Sequence, residues 1–207
     1  MPRLQLQRGF TLVEMAIVLV IIGLLLGGIL KGQELITSAR VRNIADQNSG
    51  VQAAYYGFID RYRQVPGDWG ATQAAQAIPG VTTGGDGNGR LDGSWTEALA
   101  LWEQLSKSGF IQGNYTGGTT APTQNTPNLA PRNAFNGFLV LFNTQDYEDI
   151  GGGSPSVKLN LVLGAGIPVN VLAELDRKID DGLPRTGVLR HAVTSGATFG
   201  DIGQSAA

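Results

Sequence analysis

Apolar residues run almost without interruption from Phe10 to Leu30, FTLVEMAIVLVIIGLLLGGIL, and Glu14 is the sole ionisable side chain among them. At 1.5 Å per residue this stretch makes about 30 Å of helix, the thickness of one bilayer core. Beyond it the pattern stays helical but becomes one-sided: Val41, Ile44, Asn48, Val51, Tyr55, Phe58 or Ile59, and Tyr62 recur at three- and four-residue steps. The spacing predicts one helix over Phe10–Arg63, about 80 Å long and ended by Pro66-Gly67. Further on, Ser94-Trp95-Thr96-Glu97 has capping-box spacing, and Leu101, Trp102 and Leu105 form the inward stripe of a short helix that Gly109 ends. Residues 138–142 and 157–163 read as strands, the second alternating Val157, Leu159, Leu161 and Leu163, with an acidic glycine-rich loop between them. Pro168 opens another short helix with Leu172, Leu175 and Ile179 on one face and Gly182 just past it, and residues 186–194 read as a further strand. The expected class is α+β. Residues 10–30 form a transmembrane helix, 31–64 its amphipathic continuation, and 65–207 one globular head with a small antiparallel sheet and short helices.

Length and composition narrow the chemistry. A chain of 207 residues holds one anchor and one modest core. Its 15% of charged residues, against roughly 25% in an average globular chain, and its 30 glycines suit a loop-rich secreted surface. With no cysteine, disulfides, thiolate metal sites and a cysteine nucleophile are all excluded. His191 is the only histidine, which excludes a histidine-built metal cluster; we read it as a structural or surface residue. A net charge of −2 gives no broad nucleic-acid footprint, although Arg177, Lys178, Arg185 and Arg190 make a local basic patch. Two acidic groups, Asp146, Glu148 and Asp149, and Asp176, Asp180 and Asp181, read as solvated faces, with Asp180-Asp181-Gly182 as a turn that pins the head. Trp95, Trp102, Tyr55 and Tyr62 have helix-face core spacing. No nucleophile–base pair is present, so an enzyme is not expected.

The N-terminus carries the sharper signal. MPRLQLQRG, with Arg3 and Arg8, favours a cytoplasmic start, whereas Lys31, Arg40 and Arg42 after the span pull the other way. A secretory signal would have roughly 7 to 15 apolar residues and a small-residue cleavage site; this run is longer and has no such site. A generic single-pass anchor gives no reason for Glu14. An isolated carboxylate in hydrocarbon costs roughly 2.5–3.5 kcal/mol, so Glu14 requires a cationic partner.

Arg8-Gly9-Phe10-Thr11-Leu12-Val13-Glu14 resembles the cleavage signal of type IV pilins and type II secretion pseudopilins. The resemblance implies a leader of residues 1–9, removed by a prepilin peptidase that cuts between Gly9 and Phe10 and methylates the new amine of Phe10. It implies further that this amine meets Glu14 of a neighbouring subunit during assembly. Loss of Arg3 and Arg8 with the leader would bring the net charge to −4. In a low-dielectric helix bundle such a pair fixes register more than it adds stability. The implied partners are other pilin or pseudopilin subunits, as homo- or hetero-polymer, and an assembly platform in the bacterial inner membrane. The head would stand in the periplasm before the filament forms, and nucleic acid is not an expected partner. Pilus and secretion pseudopilus, major and minor subunit, all stay open. The alternatives are a minor pilin whose head binds DNA or a surface ligand, and a generic anchored periplasmic protein. Gly23-Leu24-Leu25-Leu26-Gly27 fits either small-xxx-small helix packing or local helix softness.

In the head, Val65-Pro66-Gly67-Asp68, Gly85-Asp86-Gly87-Asn88-Gly89 and Lys178-Ile179-Asp180-Asp181-Gly182 resemble stretches of bacterial prepilin-like proteins. Asp86, Asn88, Asp92 and Glu97 fall at positions 1, 3, 7 and 12 of an EF-hand-like count. Against an EF-hand, position 6 is Leu91 where glycine is normal, position 7 normally offers a carbonyl, and Glu97 has a rival role in the capping box. Resemblance to major pseudopilins, which hold calcium in the head, supports Ca2+ there. An Asx-stabilised turn is the other reading, and no cofactor is required.

Overall fold

The computed structural model describes residues 11–150 and 155–192. The leader, Phe10 and the expected strand beyond Ala192 lie outside the described residues. Helix α1 spans Leu12–Tyr62, and the chain divides into two compact units, residues 1–39 and 40–207. In the first unit every side chain from Leu12 to Leu30 is exposed, so the apolar run has no packing partner among the described residues. It is long and apolar enough to cross a membrane.

In the second unit, α1 buries Val41, Ile44, Val51, Ala54 and Phe58, the face that the three- and four-residue spacing predicts. Arg63 ends the helix in a left-handed conformation (φ 55°) while its N–H still donates to the Ile59 carbonyl at 2.8 Å. This is an αL stop, in which that bond satisfies one of the helix's orphan carbonyls, placed just before Pro66. A seven-residue helix that the sequence reading lacks, α2, spans Ala71–Ala77.

Helix α3 spans Trp95–Lys107, opened by Ser94 Oγ accepting the Glu97 N–H at 3.4 Å and followed by Gly109 at φ 82°. All nine residues from Glu97 to Leu105 are buried, so α3 is enclosed on every side. Strands β1, Val140–Thr144, and β2, Lys158–Val162, pair antiparallel with Val140 opposite Val162 and Thr144 opposite Lys158. Helix α4 spans Val169–Ile179. The main core joins Phe58 of α1, Leu99, Leu101, Trp102 and Leu105 of α3, and Val140 and Phe142 of β1. A smaller core joins Val41 and Ile44 to Val171 and Leu175. The expected α+β architecture is present.

Two expectations need correction. Residues 186–192 form bends and irregular chain with an isolated bridge between Tyr147 and Ala192, not a strand. The N–H groups of Val188 and Leu189 donate to Asp180, so this carboxylate takes two donors that a sheet ladder would use. On α4 the buried face is Val171 and Leu175; Leu172 is half-buried and Ile179 is exposed, because the smaller core ends one turn before the helix does.

Candidate functional site

The N-terminal end of α1 is built around Glu14. Its Oε2 accepts the Thr11 N–H and the Thr11 hydroxyl, each at 2.8 Å, while Glu14 N–H donates back to Thr11 Oγ1 at 3.2 Å. Thr11-Leu12-Val13-Glu14 is thus a reciprocal capping box that satisfies orphan helix-start donors. The spacing is the same as that of Ser94 to Glu97, so the signal was present in the sequence. Glu14 is exposed, as are Leu12, Val13 and Met15 around it. A cap on the chain's own helix accounts for the carboxylate's hydrogen bonds, and no cation pairs with its charge among the described residues. Gly9 and Phe10, where cleavage is expected, lie outside the described residues. A Cβ added at Gly23 or Gly27 would meet nothing within 4 Å, so the backbone there is open to close approach by another helix.

The acidic loop of the head is organised from buried carboxylates. Asp68 is 3% exposed, and its Oδ1 accepts the N–H groups of Gly87 (2.9 Å) and Asn88 (3.0 Å) while Oδ2 accepts that of Gly89 (2.8 Å). Glu97, also buried, accepts the Asp92 N–H at 2.7 Å and the Asp86 N–H at 3.4 Å. Chain segments meet tightly here. Gly67 sits at φ 90°, and a Cβ on it would lie 2.5 Å from the Glu97 carbonyl; one on Gly85 would lie 2.6 Å from Asp68 Cα. Burial pushes the Glu97 carboxyl above its usual range, the Asp92 and Asp86 N–H groups pull it back, and the charges of Asp68 and Asp86 push it up again.

Of the four residues expected to ligate calcium, Asp86 and Glu97 come together, and with them comes Asp68, whose carboxylate oxygen lies within 4.8 Å of theirs. Asn88 instead donates its amide to Asp86 (3.1 Å) and Asp92 (2.8 Å), and its Oδ1 accepts the Arg90 N–H. The loop therefore turns donors inward onto Asp68 and Glu97, the geometry of an Asx-type turn folded over two buried acids. Asp68 was missed because its three donors lie 19 to 21 residues away and leave no local pattern.

Helix α3 uses its other buried polar residues in the same way. Glu103 accepts the N–H and hydroxyl groups of Thr82 and Thr83, and Gln104 accepts from Gly67 N–H and donates to the carbonyls of Trp69 and Thr83. These contacts fix loops and leave no carboxylate pair free for acid–base chemistry at α3.

The basic patch is largely neutralised. Lys178 pairs with Glu174 at 3.2 Å, Arg185 with Glu148 at 3.4 Å and Arg190 with Asp149 at 3.2 Å. Three of its four cations are thus engaged by acids, a poor basis for phosphate binding. His191 is exposed beside Glu148, consistent with a surface role.

Residues 4–30 match the family model described as the prokaryotic N-terminal methylation motif. No curated protein and no solved structure matches the chain. The motif points to a structural protein, and together with the long apolar helix it fits a membrane-anchored one.

Proposed function

We propose, from the premise that residues 4–30 carry the methylation signal of type IV pilins and pseudopilins, that this chain is a structural subunit of a type IV pilus or secretion pseudopilus. In this reading a prepilin peptidase cuts between Gly9 and Phe10 and methylates the new amine. The subunit then waits in the inner membrane, its head in the periplasm, until an assembly platform adds it to a polymer of like or related chains.

The observation that carries the reading is the apolar surface from Leu12 to Leu30, exposed at every residue, with one carboxylate at its start. Lipid covers that surface in the anchored subunit and neighbouring helices cover it in the filament. Glu14 supplies the change of partner. In the lone subunit it caps its own helix through Thr11. In the polymer it gains the Phe10 ammonium of an adjacent subunit, the cation that the cap does not provide. A misregistered neighbour would leave both charges in a low-dielectric bundle, so the pair acts as an axial register mark.

The test separates cap from charge. Glu14→Gln keeps an acceptor oxygen for Thr11 but loses the negative charge, whereas Glu14→Ala loses both. Both variants are expected to insert in the membrane and to be processed to a chain starting at Phe10, read by intact-protein mass. Both are also expected to lose incorporation into sheared filaments. Full assembly of Glu14→Gln would refute charge pairing, and a mature chain that begins at any residue other than Phe10 would refute the subunit assignment.

A further inference from the structure

Strand β2 has one paired edge and one open edge. The Asn143 N–H donates to the Leu91 carbonyl and the Leu139 N–H to the Pro131 carbonyl, each at 2.8 Å, so Asn143 turns its backbone groups away from β2. Successive residues of a strand alternate in this respect, and Val140, Phe142 and Thr144 therefore form the ladder with Val162, Asn160 and Lys158. Leu159 and Leu161 point their N–H and C=O groups the other way, off the far side of the two-stranded sheet. No hydrogen bond among the described residues takes them there.

That edge borders a groove of about 630 Å3 enclosed by β2, residues 44–56 of α1, the end of α4 and residues 187–192. Leu161 and Leu163 line it, and Tyr56, Leu159, Ile179 and Val188 stand exposed around it. An open strand edge among apolar side chains is a template for another strand, and folded proteins cover or blunt such edges. Ala192 brings a covering segment within reach. It borders the groove and bridges to Tyr147, while the His191 carbonyl accepts the Glu148 N–H at 2.9 Å. Lys158 Nζ lies 6.0 Å from the centre of the Tyr147 ring, so this anchor stands beside the first residue of β2. Residues 193–207, VTSGATFGDIGQSAA, follow it. Fully extended they reach about 50 Å, whereas the five-residue edge of β2 takes about 17 Å, which leaves length for a reversal. Ser195-Gly196 is a turn signal, and Thr198, Phe199 and Ile202 after it are strand formers.

We propose that the chain beyond Ala192 reverses at Ser195-Gly196 and lies along the open edge of β2 as a third strand, with the Phe199 side chain in the groove. Tethering at Ala192 gives this segment an effective concentration in the millimolar range, which favours it over a strand offered by another chain. The backbone groups of Leu159 and Leu161 then gain partners and the apolar rim is covered. With that edge occupied, two heads cannot join strand to strand through β2, and contact between copies is left to other surfaces.

Amide hydrogen exchange, read residue by residue by NMR on the 207-residue chain in detergent micelles, tests this. Leu159 and Leu161 are expected to exchange slowly, as do Asn160 and Val162, whose N–H groups face β1. A chain stopped after Ala192 is expected to exchange Leu159 and Leu161 about tenfold faster or more while Asn160 and Val162 stay slow. Phe199→Asp in the whole chain, which sets a charge against the apolar groove, is expected to do the same and gives the readout if the shortened chain fails to fold. Fast exchange of Leu159 and Leu161 in the unaltered chain overturns the proposal, and so does protection that survives both changes. Acceleration of all four amides alike in Phe199→Asp also overturns it, since the segment then supports the head as a whole and not this edge. Protection that disappears when the unaltered chain is diluted at constant detergent does so too, because the covering strand then comes from another copy.

Discussion

Replacement of Asp68 by alanine removes one side chain and strands three backbone donors, the N–H groups of Gly87, Asn88 and Gly89. Charge-assisted hydrogen bonds contribute roughly 1.5–3 kcal/mol each, so complete loss in a dry site would cost about 4.5 kcal/mol at the least. The donors belong to exposed residues, however, and water can reach part of the loop once Asp68 is gone. Removing the Asp68 charge also relieves Glu97, whose carboxyl that charge pushes upward. The net expectation is a loss of about 2–4 kcal/mol for Asp68→Ala. Asp68→Asn keeps one oxygen for Gly87 and Asn88 but turns an amide donor toward the Gly89 N–H, so about 1–2 kcal/mol is expected. The assay is urea denaturation of the full chain in micelles, followed by tryptophan fluorescence. Trp95 and Trp102 report the packed head directly, through the start and middle of α3. If both variants fall within about 0.5 kcal/mol of wild type, or if asparagine is the worse of the two, the loop is not held by the Asp68 carboxylate.

Two further perturbations probe other parts of the head. The Glu97 carboxyl holds its proton more tightly folded than unfolded, so its protonation adds stability below the ordinary value of 4.5 and that contribution fades as pH rises through the elevated folded value. The stability of wild type relative to Glu97→Gln is therefore expected to decline from pH 4 toward neutrality, measured by melting at a series of pH values; a difference that grows with pH would contradict the burial argument. Leu175→Ala opens a cavity in the small core with Val41, Ile44 and Val171 and is expected to cost about 2–3 kcal/mol by urea denaturation. Faster proteolysis between α4 and Ala192 should accompany it, and unchanged stability would mean that α4 is not anchored by this contact.

The parts of the fold that were legible in the sequence are those governed by local rules. The apolar run, the three- and four-residue face of α1, and the cap of α3 each write themselves within a few turns of chain. The capping box at Thr11 is legible too, in the same three-residue spacing that joins Ser94 to Glu97. Helix α2 was not legible: seven residues, ATQAAQA, have neither a strong apolar face nor a side-chain cap. The strand expected at 186–194 is absent over its described residues 186–192 because the sequence does not show Asp180 reaching forward to take the N–H groups of Val188 and Leu189. Asp68 failed in the same way over a longer range. Its own neighbourhood reads as a Pro-Gly turn, and its role exists only once residues 87–89 fold back over it.

The enclosure of α3 has a bearing on how chains with this head could diversify. A helix walled in on all sides offers a partner nothing to recognise, so any preference for one companion chain over another must be written on α1, the rim of β2 or the connecting loops. Those surfaces can drift without disturbing the hub, since its Glu97, Glu103 and Gln104 are answered from inside. Related chains could thus share an interior scaffold while differing in whom they accept as neighbours.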